Sequence, residues 1–248
     1  MGPFAVILPA AGRSSRFGDP RQKKIYADLD GRAVWLRAAE PFVNRDDVSQ
    51  IILAISADDR ELFESRYRAS VAFWNITVID GGAERYDTVA RALEVVDPAC
   101  EFVAVHDAAR PCVSTELIDA VFAAARKFGA AIPGLAVADT LKRVDPTSRQ
   151  VVATVPREGL VAVQTPQAFR RDLLMKAYAN RSNVNQVTDD AQLVEAIGQT
   201  CHVVDGSPFN LKITTAADLK VVSAFLQMML KPKKDRQIHP FADEPTMW

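Results

Sequence analysis

Residues able to do chemistry gather just after short apolar runs. Behind Phe4–Leu8 comes Pro9-Ala10-Ala11-Gly12-Arg13-Ser14-Ser15-Arg16-Phe17-Gly18. Small residues there let the backbone approach a ligand closely, and exposed N–H groups can cradle phosphate oxygens. Arg13, Arg16, Arg21, Lys23 and Lys24 crowd the same stretch, a cluster that favours a polyanion; the alternative is an ordinary solvated basic loop. Neither standard nucleotide fingerprint is present. GxGxxG needs glycine at position 14, which is serine, and a P-loop ends in Gly-Lys-Ser/Thr. Behind Phe102–Val105 comes His106-Asp107-Ala108-Ala109-Arg110-Pro111. An aspartate at a strand's end is placed to hold Mg²⁺ against phosphates, or else simply caps the next turn. His106 reads as a hydrogen-bonded structural residue, and Gly81-Gly82-Ala83-Glu84-Arg85 as a turn into a helix. A glycine and basic loop with a mid-chain aspartate points to nucleotide binding with a metal. Spacing alone goes no further.

Seven apolar runs would position these groups: Phe4–Leu8, Ile51–Ile55, Ile76–Ile79, Phe102–Val105, Ala130–Ile132, Val161–Val163 and His202–Val204. Continuous apolarity suits strands covered on both faces, as in a parallel sheet. Helical patterns with readable caps alternate with them. Ser114 precedes a stripe of Leu117, Ile118, Val121, Phe122 and Ala125. Thr188 leads Asp189 and Asp190, which suit a helix N-terminus. Thr215 to Asp218 reads as a capping box for a helix with Leu219, Val222, Leu226 and Met229 inward. Such alternation predicts a doubly wound α/β fold, whose ligands bind beyond the carboxyl ends of the strands. One stretch breaks the rhythm: Ala138–Val155 reads as two polar extended segments around Asp145-Pro146-Thr147-Ser148, a projecting β-arm that needs another surface to rest on. The expected organisation is a single domain over 1–230, the arm about 138–156, and a solvated tail over 231–248.

Composition narrows the class. The chain has 248 residues, 48% of them apolar, which excludes wholesale disorder. Lys+Arg (30) nearly balances Asp+Glu (31), so the net charge of -1 argues against a general nucleic-acid or membrane-surface binder. Cys100, Cys112 and Cys201 form no CxxC pair, and with three scattered histidines no zinc spacing arises. They read as reduced thiols. No apolar run approaches the roughly 18–20 residues that span a bilayer, and Met1-Gly2-Pro3-Phe4 carries no secretory pattern. A cytoplasmic protein is expected.

Eight motifs in chain order carry a resemblance. They are Pro9-Ala10-Ala11-Gly12 with Arg16 and Lys24, Gly81-Gly82-x-x-Arg85, His106-Asp107-Ala108-Ala109-Arg110-Pro111, Asp139-Thr140-x-Lys142, Val155-x-Arg157, Gln164-Thr165-Pro166-Gln167, Thr188-Asp189-Asp190-Ala191 and Asn210-x-Lys212-x-Thr214. Together they resemble the 2-C-methyl-D-erythritol 4-phosphate cytidylyltransferases of the non-mevalonate isoprenoid pathway. The resemblance implies a Rossmann-like nucleotidyltransferase fold and a reaction of CTP with a sugar-alcohol phosphate, aided by Mg²⁺. Arg16 and Lys24 would stabilise the charged transition state and Asp107 would hold the metal. Pro9, Ala10, Ala11 and Gly12 would contact the nucleotide, with Gly82 and Thr88 helping to read cytosine. Arg157 and Lys212 would place the acceptor phosphate, supported by Arg110, Thr140 and Thr165. It also implies a homodimer that exchanges arms, so Thr140 and Arg157 would serve a partner's site.

Four positions depart from that pattern. Ser14 stands where a second glycine is usual, Thr88 where serine is, and Phe209 where an aspartate precedes Asn210. The usual Pro-Lys-Gln-Tyr reads Lys23-Lys24-Ile25-Tyr26, with an extra residue after Arg16, so Lys23 competes with Lys24 for the catalytic place. Two rivals accompany this reading: a ribitol-5-phosphate cytidylyltransferase and a non-catalytic nucleotide-binding homologue.

Overall fold

Alternate residues of the first strand point into two different cores. Phe4, Val6 and Leu8 join one apolar cluster and Ala5 and Ile7 another, which is why this run is apolar throughout rather than alternating. The computed structural model describes residues 2–12, 14, 17, 23–181 and 187–230. Its first part runs β1 (Phe4–Pro9), β2 (Asp28–Leu29), β3 (Arg32–Ala33), α1 (Val34–Val43), β4 (Val48–Ile55), α2 (Arg60–Phe73) and β5 (Ile76–Asp80). There follow α3 (Arg85–Glu94), β6 (Phe102–Val105), α4 (Thr115–Phe128), β7 (Ala130–Ala136), β8 (Leu141–Val144) and β9 (Val151–Val155). The last part comprises β10 (Val161–Val163), β11 (Gln167–Arg170), α5 (Arg171–Ala179), α6 (Asp190–Ala196), β12 (His202–Asp205) and α7 (Ala216–Leu230).

The main sheet has the order β10-β7-β11-β6-β1-β4-β5, with β12 paired to β7 as well. Pairings β6–β1, β1–β4, β4–β5 and β7–β12 are parallel, whereas β11 lies antiparallel between β6 and β7 and β10 pairs antiparallel with β7. All seven apolar runs are strands. Gln167–Arg170 was not legible: a four-residue strand opening on a glutamine offers too short a pattern. Helices α1, α2 and α4 cover one face through Trp35, Phe42, Phe63 and Phe122, and α3, α5 and α6 cover the other through Val89, Leu93, Leu174 and Leu193. Each large side chain so buried contributes about 1.5–3 kcal/mol.

The caps fall where the sequence placed them. Leu117 N–H donates to Ser114 Oγ (3.2 Å), and the Asp218 carboxylate accepts from Thr214 and Thr215 N–H (2.8 Å each) while its own N–H donates to Thr215 Oγ1. At α6 the capping side chain is Asp189, which accepts from Gln192 N–H. Helix α7 buries Val222 and Leu226 in a third cluster with Leu29, Val34 and Ile213; the Met229 side chain lies outside the described residues. Strands β8 and β9 form a separate two-stranded antiparallel sheet around an Asp145 turn, whose carboxylate accepts from Thr147 and Ser148. Among the described residues no helix is long and apolar enough to cross a membrane. The tail over 231–248 lies outside them.

Candidate active site

Strand order reverses at β1: the chain steps from β1 to β4 and β5 on one side, then places β6 on the other. The crevice at this switch point lies beyond the carboxyl ends of β1, β5 and β6, the place an open α/β sheet reserves for ligands. A cleft of about 370 Å³ opens there, lined by Pro9, Ala10, Ala11, Gly12, Lys24, Gly82, Thr88, Asp107 and Lys212 among others. The turn after β5 packs directly on the turn after β1. A Cβ on Gly81 would lie 2.4 Å from Ala11 Cβ, and one on Gly82 2.3 Å from Asp87 Cβ, so neither position accepts a side chain. At Gly12 an added Cβ meets no described atom within 4 Å, so packing within the described residues does not demand glycine. Thr88 Oγ1 accepts from Gly82 N–H and donates to Glu84 O (3.0 Å each), fixing the turn whose backbone faces the cleft.

Geometry separates the two candidate lysines. Lys24 lines the cleft, whereas Lys23 Nζ lies 2.7 Å from Asp59 Oδ2 outside it. Lys24 opens a single 3₁₀ turn, Lys24–Tyr26, and its N–H donates to Ser14 Oγ (3.2 Å). Ser14 has φ +54°, a left-handed conformation that explains why glycine would suit the position. The serine supplies a hydroxyl acceptor that glycine lacks. Arg16, the other expected transition-state cation, lies outside the described residues, as do Arg13 and Arg21.

A second compartment of about 310 Å³ adjoins the first and is lined by Arg85, Asp107, Arg110, Gln164, Thr165 and Lys212 among others. Asp107 sits on the divide. Its carboxylate lies 2.9 Å from Lys212 Nζ, 3.3 Å from Arg110 Nε and 3.4 Å from Arg85 Nε. Burial alone would raise its pKa; the three cations outweigh burial and hold the carboxyl well below the usual carboxylate range. Arg85 is held from behind by Asp190, fully buried, at 2.7 Å, and the Tyr178 hydroxyl donates to the same carboxylate at 2.5 Å. Arg110 also donates to Asn210 O (2.8 Å), and Asn210 Nδ2 to Thr165 O (2.8 Å), tying the loop that carries Lys212 to the loop before β11.

His106 has the structural role expected of it. It is fully buried, its Nε2–H donates to Arg110 O (3.1 Å), and its Nδ1 faces Thr165 Oγ1 (3.2 Å). Burial pushes its pKa down to about 4, so the ring is neutral and Nδ1 accepts the Thr165 proton. Thr165 Oγ1 in turn accepts from Asp107 N–H (3.0 Å). Its hydroxyl therefore braces Asp107 and His106, and its single proton is committed within the protein. Thr140 and Arg157 line neither compartment; both are exposed, and Arg157 donates to Ala138 O. Phe209 also lines neither, packing edge-on against Phe225 with centroids 5.1 Å apart.

The arrangement supplies fixed positive charge around one carboxylate at the junction of two polar compartments. Among the described residues no group of three or more His, Cys, Asp or Glu could hold a metal unaided. Asp107 alone fits the way Mg²⁺ binds with phosphates: one hard carboxylate oxygen, the remaining ligands from substrate and water. Sequence reasoning gave no site role to Arg85 or Asn210 and read Asp190 only as a charge at a helix N-terminus, although all three stood inside quoted motifs. Tyr178 gave no signal, being one apolar-face residue of α5.

A doubly wound α/β sheet with a glycine turn and a cation-ringed carboxylate at its switch point defines a nucleotide-handling enzyme class. Comparison with known proteins narrows this. The sequence model of the 2-C-methyl-D-erythritol 4-phosphate cytidylyltransferase family matches residues 4–228. Enzymes of that name from Frankia casuarinae and Bacillus mycoides are similar at 44% identity over 223 residues and 38% over 229. Those matches cover 90% of this chain and 80% of the Frankia protein, and 92% and 100% for the Bacillus pair. The crystal structure of the Thermus thermophilus enzyme of the same name superposes with TM-score 0.75 at 32% identity, covering 92% of this chain and 100% of that one. A 4-diphosphocytidyl-2C-methyl-D-erythritol synthase from Anaerococcus prevotii gives TM-score 0.77 at 28% identity, covering 91% and 99%. The chain belongs to the 2-C-methyl-D-erythritol 4-phosphate cytidylyltransferase family.

Proposed function

We propose that the protein transfers CMP from CTP to 2-C-methyl-D-erythritol 4-phosphate, giving 4-diphosphocytidyl-2-C-methyl-D-erythritol and pyrophosphate in isoprenoid precursor biosynthesis. The observation that carries the reading is the pair of adjoining compartments sharing Arg85, Asp107 and Lys212. A phosphate oxygen of the acceptor attacks the α-phosphorus of CTP, and the bond to the β-phosphate oxygen breaks as pyrophosphate leaves. Two anions must touch while charge grows on the equatorial oxygens, so fixed cations rather than a protein base answer the barrier. CTP occupies the compartment of Gly12, Gly82 and Thr88, with Lys24 directed at its phosphates; the family resemblance gives Arg16 the same charge-stabilising role. The acceptor phosphate occupies the compartment of Arg110 and Lys212. Mg²⁺ bound at Asp107 and the nucleotide phosphates would neutralise part of the charge on the leaving group. Pyrophosphate release from each of the four nucleoside triphosphates, with methylerythritol phosphate or ribitol phosphate as acceptor, tests the assignment. Turnover confined to CTP with the methylerythritol acceptor supports it; preference for ribitol phosphate or another nucleotide contradicts it.

Asp107→Asn removes the negative charge that Lys212 and Arg110 share, while Arg85 keeps Asp190. The expected result is a loss of activity together with a weakened dependence on Mg²⁺; an unchanged metal titration would take Asp107 out of the metal site.

The homodimer belongs to the same proposal. Thr140 and Arg157 stand on an exposed hairpin away from their own chain's compartments, and Val151 and Val152 of β9 are 62% and 63% exposed. Exchange of this arm between two copies would cover those valines and bring Thr140 and Arg157 to the partner's acceptor phosphate. Deleting Asp145–Gln150 should impair dimerisation, and an unaffected dimer in light scattering contradicts the exchange. Cytoplasmic residence completes the proposal, consistent with three free cysteines of which two are buried.

A further inference from the structure

Asp59 lies outside both compartments yet touches both flanks of Lys24. It ends a short 3₁₀ turn, Ala57–Asp59, that leads from β4 into α2. Its Oδ2 accepts from Lys23 Nζ at 2.7 Å and from the Tyr26 hydroxyl at 3.1 Å. The carboxylate side chain is only 12% exposed, so both bonds form where water competes poorly. Tyr26 is itself immobilised: it is buried, its ring stacks on Tyr67 with centroids 6.0 Å apart, and it packs against Phe63. Lys24, followed by Ile25, lies between these two grips. Its own side chain is long, and the single turn that carries it is tied by Tyr26 N–H to Lys23 O (2.9 Å), Ala27 N–H to Lys24 O (3.3 Å) and Lys24 N–H to Ser14 Oγ (3.2 Å). One short turn is a weak platform for a group that must meet a phosphate within a few tenths of an ångström.

We propose that Asp59 is a positioning residue, gripping Lys23 and Tyr26 so that the intervening Lys24 enters the nucleotide compartment in one direction. This rests on the CMP-transfer chemistry above for its effect on rate, but not for the clamp itself. Among the described residues, the hydrogen bonds of the Asp59 carboxylate reach the compartment only through the turn. It therefore acts on the direction of Lys24 and leaves the acceptor side, built by Arg110 and Lys212, unaltered. Lys23 has φ −68° and ψ 141°. That φ is the one a proline ring imposes, so Lys23→Pro supplies by covalent restraint what the carboxylate supplies by gripping the lysine.

Three proteins test the clamp: wild type, Asp59→Ala, and Asp59→Ala combined with Lys23→Pro. Steady-state kinetics with CTP and methylerythritol phosphate, and amide hydrogen exchange over residues 23–27, are measured on each. Asp59→Ala is expected to lower kcat by about 10–10², the usual loss when a supporting partner of a reacting group is removed, with KM for the acceptor unchanged. Exchange at Tyr26 and Ala27 should quicken in the same variant, and Lys23→Pro should restore most of the turnover and of the protection. A simple loss of fold would raise exchange across β1 and β4 as well and would not be rescued by a proline at position 23. Unchanged turnover in Asp59→Ala, or a loss that Lys23→Pro leaves untouched, overturns the proposal. If wild type releases no pyrophosphate, the transfer chemistry fails alone, because exchange over 23–27 still reads the clamp.

Discussion

Replacing Lys212 with alanine lowers turnover by about 10²–10³, the cost of removing one donor aimed at developing charge in a reacting anion. Lys212 is singled out because it lines both compartments and stands 2.9 Å from the carboxylate between them. The effect on stability is small by comparison. The lysine side chain is 38% exposed, and partly exposed ion pairs contribute about 0–1 kcal/mol. Asp107 also keeps Arg85 and Arg110, so no buried charge is stranded. The variant therefore unfolds near the wild-type denaturant midpoint while its kcat for pyrophosphate release collapses. Turnover within a few-fold of wild type would remove Lys212 from the reacting site.

Asp190→Ala has the opposite profile, acting first on the fold. Asp190 is fully buried and satisfies both Arg85 and the buried Tyr178 hydroxyl. Removing one partner of a buried ion pair costs about 3–5 kcal/mol, because the other charge stays in place without its counter-ion. Asp107 offsets part of this, yet at 3.4 Å from Arg85 it is a weaker partner than Asp190 at 2.7 Å. Chemical denaturation of the two proteins measures the difference. A loss below about 1 kcal/mol, the scale of an exposed pair, would show that the Arg85–Asp190 pair is not what holds the α3 and α6 ends together. Activity should fall too, since Arg85 then points at Asp107 without support.

How far such effects were legible in the sequence differs between strand and site. The strands were, because both-face burial forces Val, Ile, Leu and Phe into unbroken runs such as Phe4–Leu8. In the main sheet the exception is β11, which is short, opens on the buried polar Gln167 and pairs antiparallel, so neither composition nor periodicity marked it. Cap residues Ser114 and Asp218 were legible because a side-chain oxygen ahead of an apolar stripe has one local use. Asp107 and Lys212 were legible as motif members, but their mutual contact spans 105 positions of chain and has no local signature. Arg85 with Asp190 and Asp59 with Lys23 are hidden for the same reason. A long-range ion pair is set by where the fold brings two loops, which no window of sequence contains. Lys23 against Lys24 was undecidable from spacing and is separated by geometry, since only Lys24 lines the cleft while Lys23 is turned to Asp59.

The central claim is that the acceptor's phosphate and the α-phosphate of CTP meet across Asp107. Labelling CTP with ³²P at the α position and following the label during turnover addresses it directly. The label should pass into a cytidine diphosphate ester of the sugar alcohol, in step with acceptor consumption, and the released pyrophosphate should be unlabelled. Label appearing as free CMP at the same rate with or without acceptor would mean that water, not the acceptor phosphate, reaches the α-phosphorus, and would contradict the two-compartment account.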